Sequence, residues 1–253
     1  MPSERASRRR PSRRTWVFVS SGVLVVLLVL GALAFGGVIW PGRVFATGHD
    51  VRGVDVSSYQ GEIDWDVLAA QDIDFAYIKS TEGSSDVDEF FAANWAGAMS
   101  SDLLVGAYHF MSFDSPGETQ ADNIIANVPA DGTLPIAIDV EYYGAYFDAP
   151  PSRDQVTSIL VPLLDRLEAH YGVTPVLYAT APAYSRYLTD AYAENPIWIR
   201  SVVLPPSLDD GRDWTIWQYS HRDRLDGYTG TEYFIDMNVS ALTRDELAAL
   251  AAR

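Results

Sequence analysis

Apolar residues in this chain gather into short bursts separated by longer amphipathic stretches. The bursts lie at 51–56 (VRGVDV), 74–80, 103–110, 134–140, 174–180, 196–200, 214–219 and 232–237. Most are apolar at successive positions, the pattern of strands covered on both faces and therefore parallel. Helical patterns fall between the first six bursts, at 63–71, 84–100, 115–128, 152–172 and 182–195, and a last one runs over 243–252. Three of these open on capping signals: Ser115 with Pro116 and Glu118, Ser152 with Gln155, and Thr243 with Glu246. Pro162 is expected to kink the helix that contains it.

About eight strands alternating with helices predict a closed β/α barrel, TIM-barrel-like in class. The last third departs from that rhythm. Residues 201–213 and 220–231 are too short and too rich in Gly and Asp for full crossover helices. The barrel is therefore expected to be irregular, with hairpin or extended connections late in the chain. A doubly wound open sheet is the runner-up.

The N-terminal region is of another kind. Six arginines lie within residues 5–14, and the 25 residues 16–40 carry no charge. That is long enough to cross a hydrocarbon core of about 30 Å. Arginines ahead of the apolar run favour a cytoplasmic N-terminus and an exported remainder. The expected organisation is a basic cytoplasmic segment at 1–15, a single transmembrane anchor or long signal sequence at 16–40, a linker at 41–50 and one domain at 51–253. A cleaved signal competes with the anchor, with VFA at 44–46 as a weak cleavage site. A buried core helix is the third reading.

Charge narrows the partners. The net charge is −16, yet the first fifty residues hold seven arginines and only two acids. The remainder thus has 11 basic and 32 acidic residues, a net charge of −21. Such a surface argues against nucleic acid or an anionic membrane face and suits a neutral or partly cationic polymer. There are no cysteines, which excludes a disulfide scaffold and thiol chemistry. No His/Asp/Glu spacing suggests a metal site, 61–74 lacks the calcium-loop pattern, and TEGSS at 81–85 is no phosphate loop. No cofactor is expected, and a monomer is.

In a parallel barrel, chemistry sits at the C-terminal ends of the strands. Four acids fall there: Asp55, Asp139, Glu141 and Asp236. Asp139 and Glu141, in PIAIDVEYYG (135–144), are two apart and so face the same way. Neighbouring carboxylates resist joint ionisation, so one keeps a proton that a leaving-group oxygen can take. A single strand-end acid is more often merely solvated, and that reading stays open for Asp55 and Asp236 taken alone. Their strands are the first and last, which a closed barrel sets side by side. Tyr59, Tyr108, Tyr142, Tyr143, Tyr178, Trp198, Trp217 and Tyr219 lie at or near the same ends, as does His109. Aromatic rings there can cover the flat apolar faces of sugars, although each ring alone is as readily a packing residue.

The blocks GVDVSSYQGEIDW (53–65), FAYIKSTEG (75–83), VGAYHF (105–110), LPIAIDVEYYG (134–144), GVTPVLYAT (172–180) and WTIWQYS (214–220), with the pair Asp236 and Asn238, resemble in order the motifs of the glycoside hydrolase family 25 lysozymes, the N,O-diacetylmuramidases. The resemblance spans about 51–240. It implies an irregular β/α barrel that cleaves the β-1,4 bond between N-acetylmuramic acid and N-acetylglucosamine in the glycan strands of peptidoglycan. By motif match Glu141 would be the general acid. Asp139 would tune it and orient the substrate's N-acetyl group, and Asp55 and Asp236 would be the other pocket acids. Lys79, Glu82, Tyr108, His109, Tyr178, Trp198 and Gln218 match positions that line or brace the groove. The resemblance further implies attack by the substrate's own acetamido oxygen, an inverting route being its rival. One departure is WIRSVVLPPS (198–207), where the family has Trp-Ile-Ala and then an aromatic; Arg200 puts a long cation at the groove rim. Two other functions stay in view: a non-catalytic glycan-binding module, and a glycosidase acting on another N-acetylglucosamine polymer.

Overall fold

The computed structural model describes residues 13–252 and falls into two compact units, Met1–Ile39 and Trp40–Arg253. Within the first, α1 spans Arg13–Phe35. Its stretch Phe18–Phe35 has a mean hydropathy of 2.6 and none of it is buried. At about 1.5 Å per residue the helix is long and apolar enough to cross a membrane. Most of the basic segment expected at 1–15, residues 1–12, lies outside the described residues.

The second unit is a closed barrel of eight strands. They are β1 (Arg52–Val56), β2 (Phe75–Glu82), β4 (Leu104–Phe110), β5 (Ala137–Val140), β6 (Val176–Thr180), β7 (Ile197–Arg200), β8 (Ile216–Asp223) and β9 (Ile235–Ser240), with the two-residue β3 (Asp86–Val87) hanging on the edge of β2. From β1 through β2, β4, β5, β6 and β7 to β8 every neighbour is parallel. β9 runs antiparallel to both β8 and β1 and closes the ring. The late irregularity expected from the short 220–231 connection is this antiparallel strand.

The helices are α2 (Pro41–Ala46), α3 (Trp65–Ala69), α4 (Phe91–Met99), α5 (Gly117–Asn127), α6 (Arg153–Tyr171), α7 (Ala181–Ala183) and α8 (Arg244–Ala249). Capping boxes open α6 at Ser152 and Gln155 and α8 at Thr243 and Glu246. α5 differs from expectation: its N-cap is Pro116, not Ser115, and no side chain caps it. α5 also packs tightly on α6, since a Cβ on Gly117 would stand 1.9 Å from the Ile159 carbonyl oxygen. The helix expected over 84–100 starts only at Phe91, because Asp86 and Val87 pair with Glu82 and Thr81. The helix expected over 182–195 becomes a π-turn at Tyr184–Leu188 and stops where Asp190 and Tyr192 take positive φ.

The segment 41–50, expected as a linker, is built into the barrel wall. Its helix α2 lies against β8: a Cβ on Gly42 would stand 2.1 Å from the Tyr219 carbonyl oxygen. Arg43 pairs with Asp223 at 2.6 Å, Ala46 is buried, and His49 packs against Trp214 and Trp217. Only a glycine admits so close an approach of two backbones, so Gly42 seats the helix.

Two apolar layers result. One lies between strands and helices, and the other fills the barrel with Phe75, Tyr77, Leu104, Val176, Trp198 and Ile216, plugged by Leu247 of α8. The interior is apolar only in its lower part. At the C-terminal ends of the strands the inward positions turn polar.

Candidate active site

Those polar positions open into one groove of about 840 Å³. Asp55, Asp139, Glu141 and Asp236 all line it, as do Tyr59, Lys79, Glu82, Tyr108, Tyr143, Tyr178, Trp198 and Gln218. The fold explains the convergence. Asp55 faces Asp236 across the β1–β9 pair, and Phe110, Asp139, Tyr178 and Trp198 stand at successive registers from β4 to β7.

Trp198 forms the floor. Its indole stacks on Tyr77 at 4.8 Å and meets the edges of Tyr178 and Tyr108. Its Nε1 donates to Asn238 Oδ1 at 2.8 Å. Asn238 Nδ2 in turn donates to Asp55 Oδ2 at 2.7 Å, and Gln218 Nε2 donates to the same oxygen at 2.9 Å. Tyr178 donates to Gln218 Oε1 at 3.1 Å, which fixes the amide. Asp55 is thus held from two sides in a buried network.

Asp139 is differently placed. It is buried, and its Oδ1 has no hydrogen-bond partner in the protein. Burial pushes its carboxyl well above the ordinary range; the charges of Glu141 and Asp55 add to the rise, and Lys79 opposes it. Glu141, just past the end of β5 and less buried, is also raised by burial, against Arg200 and Lys79 and with Asp55. Asp236 is pushed well up by burial and Asp55. Asp55 rises by burial although its amide donors and Arg200 pull it down. Carboxylates so placed hold protons that isolated ones would release.

Lys79 and Glu82 pair at 2.7 Å within the groove. They are three residues apart on a strand and would ordinarily face opposite sides. The register of β2 against β4 slips between Lys79 and Thr81, and this bulge returns Glu82 to the inner face.

Three expected residues, His109, Trp217 and Tyr219, do not reach the groove. His109 follows the inward Tyr108 and so faces outward. There it bonds Thr81 through Nδ1 (2.8 Å) and Gln120 of α5 through Nε2 (3.0 Å), and burial lowers its pKa to about 4. Tyr219, next to Gln218, lies in the layer beneath α2 and packs on Trp217. Lining residues absent from the expected site include Phe147, His221, Arg222, Glu232 and Phe234. Slips in β8 between Gln218 and Ser220, and again before Asp223, break the alternation that would have placed His221. Among the described residues no group of His, Cys, Asp or Glu side chains has the arrangement of a metal site.

The family model for "Glycosyl hydrolases family 25" matches residues 54–228. Lysozyme M1 of Streptomyces globisporus is 32% identical over 219 residues, covering 79% of this chain and 71% of that one. The N,O-diacetylmuramidase of Chalaropsis sp is 30% identical, over 77% of this chain and 98% of its own. The solved structure of a family 25 glycosyl hydrolase from Bacillus anthracis superposes with a TM-score of 0.76 at 50% identity, covering 80% of this chain and 94% of that chain. Two-thirds of the sequence, including Asp55, Asp139 and Glu141, falls inside the family match, and the barrel superposes as a whole: this chain belongs to glycosyl hydrolase family 25 and is a lysozyme-type glycoside hydrolase.

Proposed function

We propose that this protein cleaves the β-1,4 bond between N-acetylmuramic acid and N-acetylglucosamine in peptidoglycan, with Glu141 as general acid and the substrate's acetamido oxygen as nucleophile. The observation that carries the reading is the pair at the end of β5. Asp139 is buried with one oxygen unpartnered, and Glu141 lies beside it at the groove surface with a raised pKa. Glu141 gives its proton to the glycosidic oxygen as the bond from C1 breaks. The acetamido oxygen closes on C1, and the N–H of that group donates to the free Oδ1 of Asp139. A water then attacks C1 and returns a proton to Glu141, with net retention of configuration.

Asp55 suits a supporting role better than that of a nucleophile, because two side-chain amides already hold its Oδ2. It places negative charge near C1 without a covalent bond. Trp198, Tyr108 and Tyr178 offer ring surface to the sugar faces, and Tyr59 and Phe147, both largely exposed, extend that surface to the rim.

The test is product analysis. Purified peptidoglycan and chitin oligomers are digested and the new reducing ends identified by mass spectrometry. Ends in N-acetylmuramic acid from peptidoglycan support the reading. Ends in N-acetylglucosamine from peptidoglycan assign cleavage of the other β-1,4 bond of the same strand, and faster cleavage of chitin assigns another N-acetylglucosamine polymer. Binding without any new ends assigns a glycan-binding module.

Acting on wall glycan, the domain faces the outside of the cell, and we infer that α1 remains attached as its anchor. Cleavage after Ala46 would strip Gly42, Arg43 and Ala46 from β8, where they form part of the folded wall.

A further inference from the structure

The two walls of the groove differ in charge. Acids stand on the ends of β1, β2, β5 and β9, whereas the ends of β7 and β8 present Arg200, His221 and Arg222, with Glu232 of the β8–β9 connection acting on His221. Residues 51–253 have only 11 Lys and Arg against 32 acids, so two arginines on one wall are a local concentration. Barrel closure does not call for it, since neither side chain belongs to the apolar layers.

Arg200 is half-buried at the end of β7, in register with Thr180 and Gln218. Lys79, on the β2 side of the groove, is paired with Glu82 at 2.7 Å. Arg200 makes no hydrogen bond and no ion pair within 4.0 Å with any described residue, although Glu141, Asp55 and Asp236 all act on it from farther away. A guanidinium carries five donors in a planar fork that fits a carboxylate through two parallel bonds. Arg222, which lines the same groove, lies over the Phe234 ring at 4.9 Å. His221 lies between the two in sequence, and burial together with both arginines lowers its pKa, so it adds a neutral ring to this wall.

We infer that Arg200, supported by Arg222, is an anion subsite that binds a carboxylate carried by the muramyl unit of the substrate. The inference rests on the muramidase reading above and deepens it. A strand of N-acetylglucosamine alone has no carboxylate. The lactyl ether of muramic acid has one, free when the strand is stripped of peptide. When a peptide is attached, the nearest carboxylates are those of the peptide. Arg200 therefore selects either stripped or peptide-bearing strands, by the same chemistry.

Two substrate pairs separate these sources. One is peptide-stripped glycan with its lactyl carboxylates free, against the same glycan converted to the methylamide. The other is peptide-bearing glycan with free peptide carboxylates, against the amidated form. kcat/KM is measured on all four with the full chain and with Arg200→Gln and Arg200→Lys. The unmodified enzyme should prefer the free acid in one pair by about tenfold, the strength of a charge-assisted hydrogen bond. Arg200→Gln should bring that ratio close to one, and Arg200→Lys should restore part of it. A gap in the first pair assigns the lactyl carboxylate; a gap in the second assigns the peptide. A role confined to tuning Glu141 would slow both members of each pair alike and leave the ratios unchanged, and that result overturns the proposal. Calorimetry of free N-acetylmuramic acid and its methylamide on Glu141→Gln and on Glu141→Gln/Arg200→Gln supplies a second reading for the lactyl carboxylate. If no substrate is cleaved by the unmodified enzyme, the muramidase reading fails, and equal binding of acid and amide then removes the subsite as well.

Discussion

Asn238 on the last strand donates its side-chain amide to Asp55 on the first, 2.7 Å across the antiparallel seam that closes the barrel. Asn238 is itself fixed by the indole of Trp198. The closure of the fold and the setting of a groove carboxylate are therefore one arrangement. Asn238→Ala removes a bond to the charged form of Asp55, so the pKa of Asp55 rises further. The expected result is a fall in kcat/KM of about tenfold and an upward shift of the acidic limb of the pH–rate profile. An unchanged profile would separate Asp55 from the reaction.

Asp139 gives a prediction in stability. Its folded-state pKa lies well above the ordinary value of about 4, with burial the largest cause. A group raised in this way contributes stability at pH values below its unfolded pKa, and that contribution is lost as pH rises through the folded pKa. Asp139→Asn removes the burden. The variant should melt higher than the parent at pH 7, and the difference should shrink toward zero as pH falls below about 4. A difference that stays flat across that range would contradict the raised pKa.

His109 separates bracing from binding. It ties β2 to α5 through Thr81 and Gln120 on the outer face of β4. His109→Ala should destabilise the domain by about 1–3 kcal/mol, because it leaves buried polar partners unsatisfied. KM should not change in the folded fraction. A large rise in KM with an unchanged melting temperature would return His109 to the groove. Its own titration has the opposite sign to that of Asp139: a pKa lowered to about 4 means stability is lost as pH falls from about 6.5 toward 4.

The strands were legible because strands covered on both faces are apolar at successive positions, as in the LPIAI run that leads into β5. The pairing of Asp139 with Glu141 followed from simple alternation past the end of such a run. Alternation failed where a bulge intervened. Lys79 and Glu82 share the groove only through the slip near Ser80, and His221 enters it only through the slips in β8. For His109 and Tyr219 the alternation was informative: each follows an inward neighbour and so faces out. The segment 41–50 was not legible, because a six-residue helix seated by backbone contact at Gly42 leaves almost no periodic pattern. Ser115 failed as a cap because the chain turns one residue later, at Pro116.

The anchor is tested by fractionation and intact mass. The uncharged stretch 16–40 and the packing of α2 on β8 lead us to expect a membrane-bound species that retains residues 16–40. A species found only in the soluble fraction and beginning near residue 47 would establish a cleaved signal.

The most direct measurement is turnover of purified peptidoglycan by Glu141→Gln beside the unmodified enzyme. Gln keeps the shape of Glu141 but has no proton to give to the leaving oxygen. Loss of general acid catalysis is worth about 10²–10⁴-fold. The account predicts a loss within or beyond that range, with an unchanged circular dichroism spectrum and N-acetylmuramic acid at the reducing ends released by the parent. A folded Glu141→Gln enzyme that retains more than about a tenth of the parent's rate would contradict it.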